Sequence, residues 1–393
     1  MTERTLRGRV AVAGIAETRY YKHGQAPVAE FRLALEAILG ACADAGLPAK
    51  SIDGFAGYSN DRTEPSRLAA ALGLPRLRST TMQWGGGGGG CAAAVANGAA
   101  AIAAGLADTV VVFRALAQGQ HGRFGQARPA ATAGAEMAWM APYGVLSPAQ
   151  KYAMKVRRFM HEHGVAQAAL RAVALASYAH AQRNPRAVMH GKPLDEAKYD
   201  ASRWIVEPFH LYDICLENDG AAALVLVSAE RAKDLRQPPV YLLGAAAGSD
   251  HRTFAQPHNA PHYASASFVN VAAEVFRMAR VGPADIGSVQ AYENFTGGVV
   301  MALAEHGFFA PAEANDFMRP ENLIAPGGRL PLNTSGGNLA ECYMHGFELV
   351  LEAVRQVRGQ STAQAARHDL SLVIGGPLVS PVSSLVVGSE AAL

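Results

Sequence analysis

Apolar runs of strand length alternate with helical patterns along this sequence, and the alternation occurs in both halves of the chain. The strand-like runs lie at residues 8–15, 53–59, 108–113, 240–247 and 288–295. The helical patterns lie near residues 29–46, 90–105, 263–280 and 338–358, and another begins at 297. This alternation predicts an α/β protein whose sheets are mostly parallel and are covered by helices on both faces.

Two segments of the chain resemble each other. Residues 45–60 and 279–295 both contain a helix end, a turn with glycine and proline, an isoleucine and the start of a strand. A repeat of this size predicts two similar halves, which we place at residues 1–236 and 237–393. Residues 117–220 are richer in charge, histidine and proline, so we expect them to form a long insertion that caps the first half. Inside the insertion we expect two helices, near residues 148–163 and 166–182.

The composition argues against several classes of protein. Half of the 393 residues are hydrophobic, 17% are charged, and the formal net charge is +2. A large core is therefore expected, and neither nucleic acid nor an anionic membrane surface is an expected partner. The sequence contains no pattern of a signal peptide or of a membrane span, which favours a cytoplasmic protein. The four cysteines are scattered without a CxxC spacing, so no metal site is expected.

Six glycines, at residues 85–90, run directly into Cys91. A phosphate-binding loop needs a lysine and a hydroxyl after the glycines, and the alanines that follow Cys91 supply neither. A dinucleotide fingerprint needs an acidic residue at the far end of the next strand, whereas Asp108 lies at the start of that strand. The glycines therefore predict a strand-to-helix turn that a backbone or a ligand approaches closely, with a helix N-terminus able to hold a negative oxygen.

This turn and three later motifs together resemble the thiolase superfamily. The later motifs read YENF at residues 292–295, NTSGGNLAECYMHG at 333–346 and VIGG at 373–376. The resemblance covers essentially the whole chain and implies the thiolase fold. That fold has two similar βαβαβαββ halves in five layers, α-β-α-β-α, around a buried pair of helices, here with a long loop insertion in the first half.

The thiolase catalytic residues are absent from the matching positions. Where thiolases carry the nucleophilic cysteine, an Asn or His, a His and the second cysteine, this sequence has Gly88, Tyr292, Tyr343 and Val373. A Claisen enzyme must form an acyl-enzyme, so loss of both cysteines removes that route. Cys91 lies one helical turn beyond the nucleophile position, where we expect it to pack in the core.

Four further segments narrow the resemblance: residues 111–125, 141–154, 157–165 and 184–187. They are similar to the lipid-transfer-protein branch of thiolase homologues, and more closely to bacterial aldolases that cut the side chain of steroid CoA thioesters. The resemblance implies a lyase that cleaves a β-hydroxyacyl-CoA by a retro-aldol reaction. Its products would be a ketone of the 17-keto steroid type and propionyl-CoA or a similar short acyl-CoA.

The same resemblance implies partners and cofactors. We expect an acyl-CoA substrate, no metal and no organic cofactor. We also expect a homodimer formed through the first half and a small OB-fold partner protein, with a hydratase as a further component to look for. Two alternatives stay open: a thiolase that uses Cys91 or Cys342, and a non-catalytic subunit that binds acyl-CoA.

A retro-aldol cleavage needs a base for the β-hydroxyl proton and donors for the thioester enolate. We expect Tyr292 and Tyr343 to exchange these protons, without assigning which is the base. Because the pKa of a free tyrosine is near 10, something must favour its phenolate, such as a helix N-terminus, a donated hydrogen bond or His345. His345 would point away from Tyr343 on a continuous helix, but it would turn inward if residues 338–358 are interrupted by a loop.

Other residues near the motifs are candidates for the same site. Glu293 and Asn294 follow Tyr292, and because side chains alternate at a strand end, one of them should reach the site. For the CoA thioester and its oxyanion, the motifs suggest Gly88, Gly336, Gly337, Gly376 and Arg123. The glycines, Gly88 above all, would leave room for a branched carbon centre that a cysteine would obstruct.

Overall fold

We describe the protein from a computed structural model, which covers residues 5–59, 61–121, 138–250 and 262–393. The strands are β1 (Val10–Glu17), β2 (Tyr21–Lys22), β3 (Gly54–Tyr58), β4 (Ser79–Gln83), β5 (Val110–Ala117), β6 (Trp204–Val206), β7 (Phe209–His210), β8 (Asn218–Ser228), β9 (Val240–Gly248), β10 (Ser288–Ala291), β11 (Leu370–Gly375) and β12 (Val382–Gly388). The longer helices are α1 (Glu30–Ala45), α2 (Pro65–Leu72), α3 (Cys91–Ala103), α5 (Pro148–His163), α6 (Gln167–Ala181), α9 (Val269–Ala279), α10 (Thr296–Glu305) and α14 (Phe347–Arg358). The short helices are α4 (Gln118–His121), α7 (Glu196–Asp200), α8 (Ala229–Ala232), α11 (Ala314–Phe317), α12 (Pro320–Leu323) and α13 (Gly337–Ala340).

Nine of these strands form one path through a ten-stranded sheet, in the order β10-β11-β12-β9-β1-β8-β5-β3-β4. The run β1-β8-β5-β3 in the first half has the same order and the same strand directions as β9-β12-β11-β10 in the second half. The predicted similarity of the two halves is therefore visible in their topology. The halves meet where β1 pairs with β9 through two residue pairs, Ala11 with Tyr241 and Val12 with Val240.

The prediction of mostly parallel sheets is wrong. Strands β5, β8 and β1 pair antiparallel, and so do β11, β12 and β9. Only β3 with its two neighbours and β10 with β11 are parallel among these ladders. The reason lies in the connections. A parallel neighbour requires a long crossover, but β12 follows β11 after a six-residue loop, 376–381, so the chain reverses direction.

Alternating residues of the strands feed two separate cores. On β5, Val111 and Phe113 pack in the core that contains α1, while Val110 and Val112 pack in the core that contains α3 and α14. Helices α3 and α14 contact each other and strands of both halves, and α1 and α9 each pack on the strands of one half. The protein therefore has five layers: α1, the strands of the first half, the central pair α3 and α14, the strands of the second half, and α9. This is the arrangement that the resemblance to thiolases implies.

The insertion contains the two expected helices. Helix α5 begins at Pro148 after a capping box formed by Ser147 and Gln150, and α6 occupies Gln167–Ala181. Helix α6 packs against α10, α12 and α13, so the insertion supports the segment that precedes α14. Within the described part of the chain, no helix is both long and apolar enough to cross a membrane.

The helix expected over residues 338–358 is interrupted. Helix α13 ends at Ala340, and α14 begins only at Phe347. Between them, His345 and Gly346 have positive backbone φ angles of 58° and 85°, which ends any α-helical path. A Cβ at Gly346 would lie 2.8 Å from Cδ2 of Tyr292, so glycine is required here both by φ and by space. The resulting loop carries Tyr343 and His345 into the protein interior.

Candidate active site

The two tyrosines singled out in the sequence meet in the structure. Tyr292 follows the end of β10 and donates its backbone N–H to the carbonyl of Ile374, 2.8 Å away. Tyr343 lies in the loop between α13 and α14 and donates its backbone N–H to the side-chain oxygen of Asn218. Their hydroxyl oxygens are 2.8 Å apart and share a hydrogen bond, and the two residues are only 3% and 6% exposed. This places two exchangeable protons side by side in a water-poor site.

Burial controls the ionisation of this pair. It raises the pKa of Tyr292 and of Tyr343 well above 10, so the expected lowering toward neutral pH is not found. The positive charge of Arg114 acts on Tyr343 and opposes this rise. Either hydroxyl can be the donor of the hydrogen bond that the two tyrosines share.

His345 faces the tyrosines because the helix is interrupted. Its ring centre is 5.5 Å from that of Tyr343 and 6.5 Å from that of Tyr292. Arg114 Nη2 donates a hydrogen bond to His345 Nδ1 over 2.8 Å. Burial lowers the pKa of His345 well below 6.5, and the charges of Arg114 and Arg62 lower it further. His345 is therefore a neutral imidazole in this site.

The space beside Gly88 is filled. A Cβ at Gly88 would lie 2.4 Å from both Cε2 and Cζ of Tyr292, a distance at which two carbon atoms collide. The expectation of an open gap at this position is therefore wrong, because the Tyr292 ring occupies the volume that a side chain at residue 88 would need. Gly87, next to it, faces His345: a Cβ there would be 3.4 Å from Nε2.

The glycine turn presses against the loop that follows β11. A Cβ at Gly376, whose φ is 72°, would lie 2.3 Å from the backbone nitrogen of Gly89. Gly89 in turn approaches the carbonyl of Pro381 so closely that its own Cβ would be 2.2 Å from that oxygen. This close backbone packing explains the run of glycines. It also brings Gly88 and Gly376 near the same turn, and their binding of a thioester oxygen stays a prediction.

Glu293 belongs to a buried hydrogen-bond network between α6 and α13. Its carboxylate accepts hydrogen bonds from the backbone N–H of Asn338 and from Ser177 Oγ, at 3.0 and 3.1 Å. A Cβ at Gly337 would be 2.0 Å from its Oε1, and Gly336 packs on Ala181. These residues form a buried clamp that holds α13 against α6. Burial raises the pKa of Glu293 to about 7.

The last two candidate site residues are Asn294 and Arg123. Asn294 is engaged locally: its side-chain oxygen accepts the backbone N–H of Phe295 at 3.0 Å, and its amide reaches the carbonyl of Pro377 at 3.4 Å. Neither contact involves Tyr292 or Tyr343. Arg123 lies outside the described residues. No cluster of His, Cys, Asp or Glu in the described ranges has the geometry to hold a metal ion.

The burial of Cys91 and Cys342 favours a packing role for them over a role as nucleophiles. Cys91 is fully buried and burial raises the pKa of its thiol to about 12, while the thiol pKa of buried Cys342 lies well above 9. A thiolate, the reactive form, is therefore disfavoured at both positions. The sulfur of Cys91 lies close to Gly375 and Gly346, and Gly346 also packs against the Tyr292 ring.

Labelling with a maleimide checks this arrangement. Among the four cysteines, only Cys215 is partly exposed, so we expect modification of one thiol per folded chain, at Cys215. The reaction should be slow, because burial also raises the pKa of this thiol. After unfolding, all four thiols should react. Intact-mass measurement counts the adducts, and peptide mapping locates them. Rapid modification of Cys91 in the folded protein would contradict the buried position described here.

Sequence reasoning missed Arg114 and Cys215. Arg114 lies in the apolar strand β5 and is 0% exposed, and Cys215 is close enough to act on the pKa of both tyrosines. An arginine inside a run of apolar strand residues, VVVFRALA, is itself unusual, because buried arginines need partners. That pattern could have marked Arg114. Nothing in the sequence around Cys215 distinguishes it.

Known proteins resemble this chain in sequence and in fold. Residues 246–388 match the family model described as "Thiolase C-terminal domain-like". A protein of Thermomonospora curvata named steroid side-chain-cleaving aldolase is 39% identical, over 98% of this chain and 99% of its own length. A protein of Mycobacterium tuberculosis named 17-hydroxy-3-oxo-4-pregnene-20-carboxyl-CoA lyase is 37% identical, over 98% of this chain and all of its own. A solved structure entitled "Ltp2-ChsH2(DUF35) aldolase" superposes with a TM-score of 0.92 at 37% identity, covering 99% of this chain and 100% of that one.

Proposed function

We propose that this chain, which belongs to the thiolase-like family of steroid side-chain-cleaving aldolases, is a carbon–carbon lyase that cleaves the side chain of a steroid CoA thioester. The substrate would carry a β-hydroxyl, and the products would be a ketone of the 17-keto steroid type and propionyl-CoA or a similar short acyl-CoA. The observation that carries the proposal is the buried hydroxyl pair of Tyr292 and Tyr343, 2.8 Å apart, at positions where a thiolase would need other residues.

The raised pKa values favour a proton relay over a free phenolate. In the relay, the β-hydroxyl proton passes to Tyr292, the proton of Tyr292 passes to Tyr343, and the proton of Tyr343 passes to the α-carbon. The C–C bond breaks, its electron pair forms the thioester enolate, and the β-oxygen becomes the ketone oxygen. Each tyrosine ends as it began, neutral, so no charge is left in a buried site where it would be costly. We place Tyr343 at the α-carbon because the positive charge of Arg114 acts on it and favours loss of its proton.

Binding of the thioester is proposed to involve the glycine turn and His345. The backbone at Gly88 and Gly376 and the Nε2–H of His345 would surround the thioester oxygen, which gains negative charge as the enolate forms. The tyrosines supply the proton transfers, so we propose that neither a metal nor an organic cofactor takes part.

Product analysis tests the proposal. The protein would be offered a steroid CoA thioester with a tertiary β-hydroxyl, and separately a 3-oxoacyl-CoA with free CoA, both with and without a chelator. We expect a ketone and a short acyl-CoA from the first substrate, no thiolysis of the second and no effect of the chelator. Thiolysis together with an acyl adduct on Cys91 or Cys342 would instead establish a thiolase. Tight binding of both substrates without turnover would favour a non-catalytic acyl-CoA-binding subunit.

The pH dependence separates the relay from a phenolate base. Because burial holds the pKa of both tyrosines well above 10, a phenolate base would make kcat/KM rise about tenfold per pH unit through the alkaline range. The relay uses the protonated forms, which are fully populated there. We therefore expect no rise in kcat/KM between about pH 7.5 and 9.5, measured over times in which the protein stays folded. A continuous rise would replace the relay by a phenolate mechanism.

The assembly is also proposed. Strand β4 lies at one edge of the sheet, and Met82 within it and Trp84 just after it are 48% and 88% exposed. Because an edge strand can pair with a second copy, we propose a homodimer through the first half, residues 1–236. The second half, residues 237–393, would lie outside that interface. The name of the similar solved structure supports a DUF35-domain partner, which we propose is a small OB-fold protein. Light scattering of the chain alone and co-expressed with that partner would measure both stoichiometries.

A further inference from the structure

We propose that Arg114 is a positioning residue, which holds the His345 imidazole in the neutral form that carries its proton on Nε2. That N–H would then donate a hydrogen bond to the thioester oxygen while the enolate forms. The inference rests on the proposed function for the identity of that oxygen. It concerns Arg114 of strand β5, a residue that touches neither tyrosine hydroxyl.

The tautomer follows from the donor. A guanidinium has five N–H groups and no acceptor, so the 2.8 Å contact between Arg114 Nη2 and His345 Nδ1 leaves Nδ1 as the acceptor. A neutral imidazole with an accepting Nδ1 carries its proton on Nε2. Without Arg114, the two tautomers of His345 would compete, and the ring would donate from Nε2 in only a fraction of the molecules.

Arg114 is itself held rigidly. It is 0% exposed, its Nη1 donates to the carbonyl of Tyr58 at 2.8 Å, and the carboxylate of Asp61 lies 3.9 Å from the same nitrogen. The Tyr58 hydroxyl in turn donates to the carbonyl of His345 at 3.0 Å. Strands β3 and β5 therefore hold both the backbone and the ring of His345, although it lies in a loop with a positive φ.

The protonated nitrogen faces the glycine turn. Gly87 is the residue beside Nε2, and a Cβ placed there would stand 3.4 Å from that nitrogen. Gly88, the next residue, lies against the Tyr292 ring. A thioester oxygen bound at this turn would therefore meet the Nε2–H from one side and the tyrosine pair from the other. The charge of Arg114 acts on Tyr343 as well, so one arginine prepares both the hydrogen-bond donor and the acid.

Nitrogen NMR of histidine-labelled protein tests the tautomer without any activity assay. We expect the His345 signals of the folded wild-type protein to show Nε2 protonated and Nδ1 unprotonated, with the assignment made by loss of those signals in His345→Gln. In Arg114→Met, which keeps most of the side-chain volume but has no hydrogen-bond donor for Nδ1, we expect a mixture of tautomers. A wild-type spectrum with the proton on Nδ1, or an unchanged spectrum in Arg114→Met, would overturn the inference.

Kinetics test the consequence. Arg114→Lys should lower kcat about tenfold to a hundredfold with little change in KM, because the lost interaction forms mainly in the transition state. Arg114→Ala should recover part of its activity when guanidinium is added at concentrations that do not unfold it. His345→Gln, whose amide nitrogen can reach the Nε2 position, should retain more activity than His345→Asn, whose amide reaches only the Nδ1 position.

A matched control is available in Arg358, whose side chain is also fully buried but bonds to Asp44 and to the carbonyls of Val12 and Ala13. Arg358→Lys should leave the tautomer and kcat unchanged, even where it lowers the melting temperature. Wild-type kcat in Arg114→Lys would overturn the catalytic consequence. A wild-type protein that does not cleave the steroid thioester would overturn the proposed function instead, and the spectra would still decide whether Arg114 sets the tautomer.

Discussion

Tyr292→Phe and Tyr343→Phe are each expected to lower kcat for side-chain cleavage about a hundredfold or more, the usual effect of removing a general acid or base. Each substitution removes only an oxygen from a ring that stays packed, so substrate binding and the melting temperature should change little. Because the two hydroxyls share one hydrogen bond and act in one relay, either loss breaks the whole path. The double variant should therefore be about as slow as the slower single variant.

The control is a tyrosine whose hydroxyl has no such role. Tyr241 is fully buried on β9, and its hydroxyl has no hydrogen-bond partner among the described residues. Tyr241→Phe should keep wild-type kcat. Single-turnover rates and acyl-CoA affinities should be measured for the wild type and all four variants. If both active-site variants cleaved at the wild-type rate, the tyrosine pair would be a packing contact and the chemistry would lie elsewhere.

Gly88→Ala is the second substitution with a large expected effect. Its new methyl group would lie 2.4 Å from two atoms of the Tyr292 ring, so the ring or the turn must move. Since the Tyr292 hydroxyl must stay within reach of Tyr343, we expect kcat to fall about a hundredfold or more, a loss comparable with removal of the hydroxyl itself. Gly88→Cys, which restores the residue type of a thiolase nucleophile, should lose cleavage in the same way and gain no thiolysis.

Gly327→Ala separates this local effect from a general cost of replacing glycine. A Cβ at Gly327 would meet nothing within 4 Å. This variant should match the wild type in both kcat and melting temperature. Gly88→Ala should remain folded, as judged by circular dichroism, and yet be inactive. Wild-type cleavage by Gly88→Ala would show that the Tyr292 ring can leave this position at no cost to the reaction.

Much of this site could be predicted from local sequence. Tyr292 and Tyr343 were identified because the motifs that contain them resemble those of the thiolase superfamily, and the structure joins their hydroxyls. The helices of the insertion, α5 and α6, followed from apolar periodicity and from start signals such as Ser147–Pro148. The matching family model confirms the expected thiolase superfamily. The names of the similar proteins, both aldolases, confirm the expected branch.

Predictions about direction and orientation were weaker. The apolar run at residues 338–358 has helical periodicity, but the contact between Gly346 and the Tyr292 ring interrupts the helix there. The direction of each strand depends on whether a short loop or a long crossover connects it to its neighbour. Composition does not reveal this, because apolar strands of either direction contain similar residues. For the same reason Glu293 could not be assigned to the site or to the clamp behind it without knowing where Asn338 and Ser177 lie.

The amino-acid sequence by itself determined the two-halved α/β architecture, because strand alternation and helix periodicity are properties of neighbouring residues, and its resemblance to thiolases placed Gly88 at the position of their nucleophile. Only the tertiary structure decided that the Tyr292 ring fills the space beside Gly88, that burial raises the pKa of both tyrosines, and that Arg114 donates a hydrogen bond to His345. Solvation, steric contact and hydrogen-bond direction depend on groups far apart in the chain, such as Arg114 and His345. Those groups come together only when both halves have folded.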